Sequence, residues 1–509
     1  MTDTAAPIEL PPIELPWRRL SPRMLAVHPV REVLRSWPLL FGLLFVGLKS
    51  HAGGGLWGLV GLGGVVTLGL LRWFTTTYRV SAEQVQVRRG LWRRETLTVP
   101  RDRVRTVDIT ASPLHRMLGL ALLTIGTGRT DRRNDGVRLD ALTAGEAARL
   151  RVELLERSPV ATATGEETAT PAPPRPETVI TALRPEWLRY APFSLSGFVT
   201  VAVTVGFLFR LANEANIRVS QFGPVQRATA QLSRTAIWLA AIEVAIAFVV
   251  IVAVFSTVAY VVAYFGFRLS RQPGGTLHIV RGLLTRRSIT LEERRLRGVE
   301  VSEPLFVRMV GGARAIAIAT GLRVGRGAER GGSLLVPPAP RAEAERVAGA
   351  ILRDPEPVQV QLTRHGRRAR QRRYTRALLG ALVVIAVVAT LWRLVHWPVW
   401  PVVVSLLLLP AGALLAEDRF RSLGHALTGQ VLVVRQGSLV RRRVMLVRDG
   451  VIGWNLRQSL FQRRAGVVTV EATTAGGRQR YAALDVPVED AVRLADEAVP
   501  GLLTSFLVD

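Results

Sequence analysis

The chain of 509 residues has no cysteine and a single lysine, Lys49. Without cysteine, the protein has no disulfide, no thiolate metal site and no cysteine nucleophile. With one lysine, phosphate-loop and Schiff-base chemistry are confined to a single position. Aromatic residues are also scarce, at 6% of the chain, which argues against a surface of interleaved aromatic and basic side chains that binds nucleic acid.

Basic residues outnumber acidic ones by 67 to 39, which gives a net charge of +28, yet 49% of the residues are hydrophobic. A chain this basic is expected to be hydrophilic unless its apolar residues are gathered into membrane spans and its basic residues into aqueous parts. This combination excludes a largely disordered chain. It also explains the charge without a nucleic-acid partner, so we expect none.

Six apolar segments are candidates for membrane spans, each of which needs about 20 apolar residues. They form three pairs: 37–48 with 56–74, 191–211 with 237–267, and 377–394 with 399–416. The first segment is the shortest, so the sequence leaves open whether the first pair crosses completely. Most arginines lie outside these pairs, and the positive-inside rule then predicts that both termini and the soluble segments are cytoplasmic.

Glu243 is the one acidic residue inside an apolar run. A carboxylate within the membrane indicates a functional site. A span that begins at Val244 would instead leave Glu243 at the membrane surface, and the sequence favours this interpretation because Val244–Phe267 is long enough alone. Beyond Glu243, Thr200 and Thr204, the spans offer few polar residues to a transport path.

Each pair of spans is followed by a stretch in which polar and apolar residues alternate, with glycine at the turns, which is typical of β-strands. The three stretches align without a gap: a turn glycine is followed after 26 residues by an arginine and after 29 by a second glycine. These residues are Gly90, Arg116, Gly119, Gly282, Arg308, Gly311, Gly437, Arg463 and Gly466. We therefore predict three copies of one β-domain. The repeated arginines are expected to serve the fold, with a shared ligand or headgroup contact as the alternative.

Short motifs in these copies resemble a known family. They are Thr77-Tyr78-Arg79-Val80, Arg89-Gly90-Leu91 and Ser112-Pro113-Leu114-His115-Arg116-Met117-Leu118-Gly119 in the first copy, and Ser302-Glu303-Pro304-Leu305-Phe306-Val307-Arg308-Met309-Val310-Gly311 in the second. On these residues the chain resembles the bacterial pleckstrin-homology-like (PH-like) membrane proteins of the YdbS/YdbT type. The resemblance implies a bent seven-strand sheet capped by a helix. It also implies the bacterial plasma membrane, a role in envelope integrity or stress defence, and a smaller membrane partner with one PH-like domain.

The predicted fold class is membrane α+β, with three transmembrane helical hairpins (six spans), each followed by a cytoplasmic PH-like β-domain with a C-terminal helix. The predicted segments are 1–36 (N-terminal segment), 37–74 (hairpin 1), 75–157 (domain 1), 158–187 (linker), 188–267 (hairpin 2), 268–355 (domain 2), 356–376 (polybasic linker), 377–416 (hairpin 3) and 417–509 (domain 3).

The sequence contains no catalytic signature. Phosphate-loop, zinc-protease and nucleophile-elbow motifs are all missing. The seven histidines are dispersed, so none forms a local metal-binding pair. We therefore expect no catalytic residue, no metal and no cofactor.

Seven arginines lie within thirteen residues just before the fifth span: Arg364, Arg367, Arg368, Arg370, Arg372, Arg373 and Arg376. Such a cluster contacts anionic lipid headgroups at about 1 kcal/mol per residue at best, or it only fixes the topology. We predict a non-enzymatic membrane scaffold that binds the bilayer and a protein partner. The alternatives are a transport or channel component and a sensor of anionic headgroups.

Overall fold

The computed structural model describes residues 17–24, 75–155 with short gaps, 177–193, 237–321, 334–396 and 398–500, with scattered positions at 63–71 and 203–213. These residues fall into two compact units. The first unit is drawn from Met1–Pro174 and Leu284–Leu291, and the second from Arg175–Leu283 and Glu292–Asp509. A short piece of the second copy therefore belongs to the same unit as the first copy.

The first copy folds into two small antiparallel sheets. Its elements are β1 (Arg18–Arg19), β2 (Thr77–Val80), β3 (Gln84–Arg89), β4 (Glu95–Pro100), β5 (Thr106–Ala111), α1 (Pro113–Met117), β6 (Leu120–Gly126), β7 (Val137–Thr143) and α2 (Ala144–Leu155). Strands β1 to β4 form one sheet, and β5 to β7 belong to the other. Alternate residues, such as Val85 and Val87 on β3 and Leu123 and Ile125 on β6, are buried in one core, as the period of a strand requires.

The second copy repeats this order of elements. It contains β8 (Thr178–Ala182), a 3-10 helix (Pro185–Phe193), α3 (Ile237–Tyr264), β9 (Arg268–Gln272), β10 (Thr276–Arg281), β11 (Arg286–Glu292), β12 (Leu296–Pro304), α4 (Leu305–Met309), β13 (Gly312–Ala319), β14 (Leu334–Pro340), α5 (Arg341–Leu352) and α6 (Glu356–Gln359).

The third copy begins with two long helical segments and ends with the same two groups of strands. It contains α7 (Gly366–Val395), α8 (Trp400–Leu406), α9 (Leu408–Arg421), β15 (Gly424–Thr428), β16 (Val431–Gln436), β17 (Val440–Val447), β18 (Val451–Arg457), α10 (Leu460–Ala465), β19 (Val467–Thr474), β20 (Arg480–Pro487) and α11 (Val488–Ala498). Its core joins Val434 and Leu446 to Val470, Tyr481 and Leu494.

In the first and second copies, the first strand precedes the predicted hairpin in the sequence. β1 pairs with β2 across the first predicted hairpin, and β8 pairs with β9 across the second. In the third copy a single bridge between Thr363 and His425 takes this place. The alternation pattern predicts each β-domain only after its hairpin and does not predict these strands, because two and five residues are too few for alternation to be recognised.

Consecutive copies are joined edge to edge. Strand β5 of the first copy pairs antiparallel with β11 of the second, and β12 of the second pairs antiparallel with β17 of the third. The family resemblance implies one seven-strand sheet per copy. Instead, the second sheet of one copy continues into strands of the next copy, because each strand edge exposes N–H and C=O groups that need partners.

Three helical segments in the described residues are long and apolar enough to cross a membrane: Trp238–Tyr264, Gly366–Val395 and Trp400–Arg421. They correspond to three of the six predicted spans. The predicted span 37–48 lies outside the described residues. Of 56–74 only scattered positions are described, and of 191–211 only its first three residues, which end the 3-10 helix, and scattered positions after them. Helices α7 and α9 pack closely, with Gly412 facing the carbonyl oxygen of Ala377, as small residues at helix contacts allow.

The six repeated glycines share a left-handed backbone. The turn glycines Gly90, Gly282 and Gly437 have φ of 115°, 106° and 104°. The glycines that follow α1, α4 and α10 are Gly119, Gly311 and Gly466, with φ of 68°, 75° and 64°. Residues with a Cβ rarely adopt this conformation, so the fold itself requires these glycines.

Replacing Gly437 by alanine tests this requirement. A Cβ at Gly437 would lie 2.0 Å from the carbonyl oxygen of Val440, in addition to the strain at positive φ. We expect Gly437→Ala to lower the free energy of unfolding by about 1–3 kcal/mol, measured by thermal unfolding of the purified protein. Gly145→Ala is the control, because Gly145 lies in α2 with nothing within 4 Å of the added Cβ. Equal stability of the two variants would contradict the explanation.

Candidate functional site

The seven arginines of the polybasic cluster do not form one uniform surface. Arg364 precedes α7, and the other six lie in its first turns. Arg372 and Arg373 are largely buried, with side chains 12% and 11% exposed. Arg364, Arg367, Arg368, Arg370 and Arg376 are exposed. Two arginines of the cluster therefore make contacts inside the protein, and the other five lie on its surface.

The buried arginines meet a single carboxylate. Arg372 Nε lies 3.1 Å from Oδ1 of Asp485, and Arg373 Nη2 lies 2.6 Å from Oδ2. Asp485 is only 2% exposed, and its Oδ1 also accepts a hydrogen bond of 2.8 Å from Nε2 of Gln462. One side chain at the end of β20 thus holds α7 and α10 against the sheet. The sequence gives no signal for this contact, because the partners lie more than a hundred residues apart.

Two further acidic side chains, Glu417 and Asp418, lie at the same end of the helical pair. Glu417 accepts hydrogen bonds from Arg370 Nε at 3.1 Å and from the hydroxyl of Tyr374 at 3.0 Å. These contacts join the beginning of α7 to the end of α9. The apolar stretches of α7 and α9 therefore end side by side, at a layer of alternating acidic and basic side chains.

Asp418 connects this layer to the second copy. Nη2 of Arg308 lies 3.2 Å from each carboxylate oxygen of Asp418, and Arg441 Nη2 donates to Oδ1 at 2.9 Å. Arg308 is one of the three repeated arginines. Its counterparts Arg116 and Arg463 are exposed on their short helices, whereas the side chain of Arg308 is 19% exposed.

Large apolar side chains project from the sheet ends beside this charged layer. Phe306 and Met309 on α4 are 51% and 74% exposed, and Leu439 in the β16–β17 turn is 55% exposed. The turn and α4 are adjacent, because the backbone N–H of Leu305 donates to the carbonyl of Leu439 at 2.7 Å. Arg308 on the same short helix bonds Asp418 at the end of α9. These three exposed side chains, called the apolar tips below, therefore lie beside the end of the apolar stretch of α9.

Helix α10 makes a matching apolar tip in the third copy. Leu460 and Phe461 are 65% and 72% exposed. Nη2 of Arg372 donates to Oγ of Ser459, the N-cap of α10, at 3.4 Å, so this tip lies beside the first turns of α7. In the sequence, Phe306 stands out only as part of the motif Ser302–Gly311 of the second copy. The exposure of Phe306 and Phe461 next to a helix end requires the three-dimensional structure.

Two histidines form a buried pair beneath the start of α7. His365 Nδ1 lies 2.7 Å from the carbonyl oxygen of Leu484, and its Nε2 lies 3.0 Å from Nδ1 of His425. Since a carbonyl only accepts, Nδ1 of His365 donates to Leu484, and in the neutral ring Nε2 of His365 then accepts from Nδ1 of His425. Burial, with a contribution from His425, lowers the pKa of His365 to about 4, and burial lowers the pKa of His425. In the described residues no three metal-binding side chains lie together.

Asp485→Asn tests the internal role of the cluster. Asparagine keeps the shape and tolerates the positive φ of 57° at this position, but it leaves Arg372 and Arg373 buried without a counter-charge. We expect a loss of about 3 kcal/mol in the free energy of unfolding, measured by thermal or denaturant unfolding. Glu489→Gln, an exposed acid in the first turn of α11, is the control and should cost less than about 1 kcal/mol. Comparable losses in both variants would argue against the ion-pair explanation.

The histidine pair predicts a loss of stability in acid. Because the folded-state pKa of His365 lies below its ordinary value of about 6.5, the unfolded chain takes up a proton first as the pH falls. Stability should therefore decline between about pH 6.5 and pH 4, by at most about 1.4 kcal/mol per pH unit for each histidine. His365→Gln should reduce this slope, and His396→Asn, at an exposed position, should leave it unchanged. The readout is the midpoint of thermal unfolding at each pH; a flat profile would refute the prediction.

Comparison with known families identifies the repeats. The model of the family described as bacterial PH domain matches three segments, residues 38–158, 234–354 and 374–498. Together these segments cover more than half of the chain and follow the three copies. No curated protein and no solved structure matches the chain.

Proposed function

Since the chain belongs to the bacterial PH domain family, we propose that it is a non-enzymatic scaffold embedded in the bacterial plasma membrane, with its three PH domains and both termini on the cytoplasmic side. PH domains are in general binding modules without catalytic activity, and three copies in one chain suggest a binding or scaffold role. Membrane embedding, envelope integrity or stress defence, and a smaller PH-domain partner are the further parts of the proposal.

The observation that carries the proposal is the composition of the layer at the ends of α7 and α9. Apolar tips at Phe306, Met309, Leu439 and Phe461 lie next to these ends. Exposed arginines lie on the first turns of α7. Apolar side chains enter the headgroup region favourably and arginine binds phosphate there. This arrangement supports the assignment of this layer to the cytoplasmic surface of the bilayer.

The same arrangement supports recognition of anionic headgroups as a second activity of the scaffold. Arg372 and Arg373 are engaged with Asp485, and Arg370 with Glu417. Lipid contact would therefore fall to the four remaining exposed arginines of the cluster: Arg364, Arg367, Arg368 and Arg376. For the transport alternative, Glu243 lies in the second turn of α3, whereas Thr200 and Thr204 lie outside the described residues, so that alternative stays a prediction.

Replacing these four arginines by glutamine tests the lipid contact. We expect the ratio of anionic to zwitterionic lipid that copurifies with the full-length protein to fall about tenfold, since each arginine contributes up to about 1 kcal/mol before salt screening. The ratio would be measured by mass spectrometry of lipids retained in mild detergent.

The matched control replaces four exposed arginines on other elements, Arg294, Arg353, Arg480 and Arg493. It changes the net charge equally, so it should leave the lipid ratio unchanged. Equal lipid ratios in the two variants would reduce the cluster to a determinant of topology.

A further inference from the structure

The two junctions between consecutive copies have the same register. At the first junction Thr106 lies opposite Leu291, and at the second Gly298 lies opposite Leu446. Thr106 and Gly298 each follow the turn glycine of their own copy by 16 residues, and Leu291 and Leu446 follow theirs by 9. The copies therefore carry a defined joint: the first strand of the second sheet receives the last strand of the first sheet of the next copy.

Three copies form two joints, so in the described residues one strand edge of the joint is left unpaired at each end of the series. Among the described residues, β4 is the outer strand of the first sheet of the first copy, and β18 is the outer strand of the last sheet of the third copy. Strand β4 corresponds to β11 and β17, and β18 corresponds to β5 and β12. The unused edges are thus the two complementary halves of the same joint.

The register of the internal joints can be transferred to these edges. Gly453 follows Gly437 by 16 residues and Val99 follows Gly90 by 9, so Gly453 would lie opposite Val99. In an antiparallel pair Arg457 then lies opposite Glu95, the first residue of β4. Both side chains are exposed, Arg457 at 65%. Opposite charges directly across two strands stabilise their pairing.

This charge pair is specific to the two terminal edges. At the same place the internal joints have Arg287 opposite Thr110 and Arg442 opposite Ser302. Arg457 would therefore meet another arginine if β18 paired with β11 or β17 of a different chain. Of these three strands only β4 offers it a carboxylate, in addition to Glu471 of its own chain, whose Oε1 lies 3.9 Å from Nη1 of Arg457. The chain thus carries both a favourable contact for one pairing and a repulsive contact against the two others.

The exposed apolar side chains of β18 agree with a missing neighbour. Ile452 and Leu456 are 66% and 44% exposed. An exposed strand edge with apolar side chains is a site of strand addition unless it is blocked. The internal joints show that the strand this edge accepts is one of the β4 type.

We propose that β18 of one chain pairs antiparallel with β4 of a second copy of the chain, with Gly453 opposite Val99 and Arg457 opposite Glu95. The contact is heterologous, so it generates a head-to-tail ring or filament of chains in the membrane. This pairing goes beyond the proposed function and does not rest on lipid contact.

Cysteine crosslinking in the naturally cysteine-free chain tests the register. In the proposed pair Thr96 lies opposite Leu456, and both residues are exposed. A Thr96→Cys chain and a Leu456→Cys chain with different tags would be expressed together and oxidised in isolated membranes. We expect a band of twice the chain mass that carries both tags. Pairing Thr96→Cys with Val488→Cys, at an exposed position on α11, is the control and should give no such band.

Charge reversal tests the specificity. Adding Arg457→Glu to the Leu456→Cys chain should reduce the yield of the two-tag band about threefold to tenfold, and adding Glu95→Arg to the Thr96→Cys chain should restore it. Restoration also rules out misfolding as the cause of the loss. The absence of a two-tag band would overturn the proposal. A chain that carries both Thr96→Cys and Leu456→Cys tests pairing within one chain, and a crosslink that forms only there would also overturn it. If the yield of the two-tag band does not change when the charges are reversed, the proposed register is wrong.

Discussion

A strand at the edge of a sheet exposes N–H and C=O groups that must find partners in protein or water, and this constraint organises the described part of the chain. Each copy divides its strands between two sheets and thereby creates open edges. At the first junction β11 covers β5, and at the second β17 covers β12. Each junction therefore uses backbone hydrogen bonds between strands that come from two consecutive copies.

Besides the strand pairing between copies, ion pairs connect the sheets to the helices. Asp485, Glu417 and Asp418 each pair with arginine where α7 and α9 approach the sheets. Removing one partner of a buried ion pair is costly because the other charge stays buried. The arginines of α7 thus hold the helix on the third copy, and those left exposed remain available to the surroundings. The cluster can both form these ion pairs and keep exposed arginines because few acidic residues lie among its arginines.

The sequence predicts the repeat well and the joints poorly. The spacing of Gly90, Gly282 and Gly437 reveals three copies because a left-handed turn residue must be glycine, and the three matches of the bacterial PH domain model confirm this prediction. Alternation along β11 would look the same whether its neighbour came from its own copy or from the preceding one. Burial of Arg372 and Arg373 was likewise hidden, since a run of arginines is normally solvated and their carboxylate is distant in sequence.

The connection between the second and third copies extends beyond the shared strands. Arg308 belongs to the second copy, but the carboxylate that it binds, Asp418, ends the helical pair of the third copy. Leu305 of the second copy is also bonded to the turn at Leu439 of the third. The β-domain of the second copy therefore contacts the end of the helical pair of the third copy. A ligand that shifted α4 would strain the Arg308–Asp418 contact and the β12–β17 edge together, since cores and interfaces of this kind transmit displacement rather than absorb it. This coupling links the second and third copies mechanically, so the two are not separate modules that share only a chain.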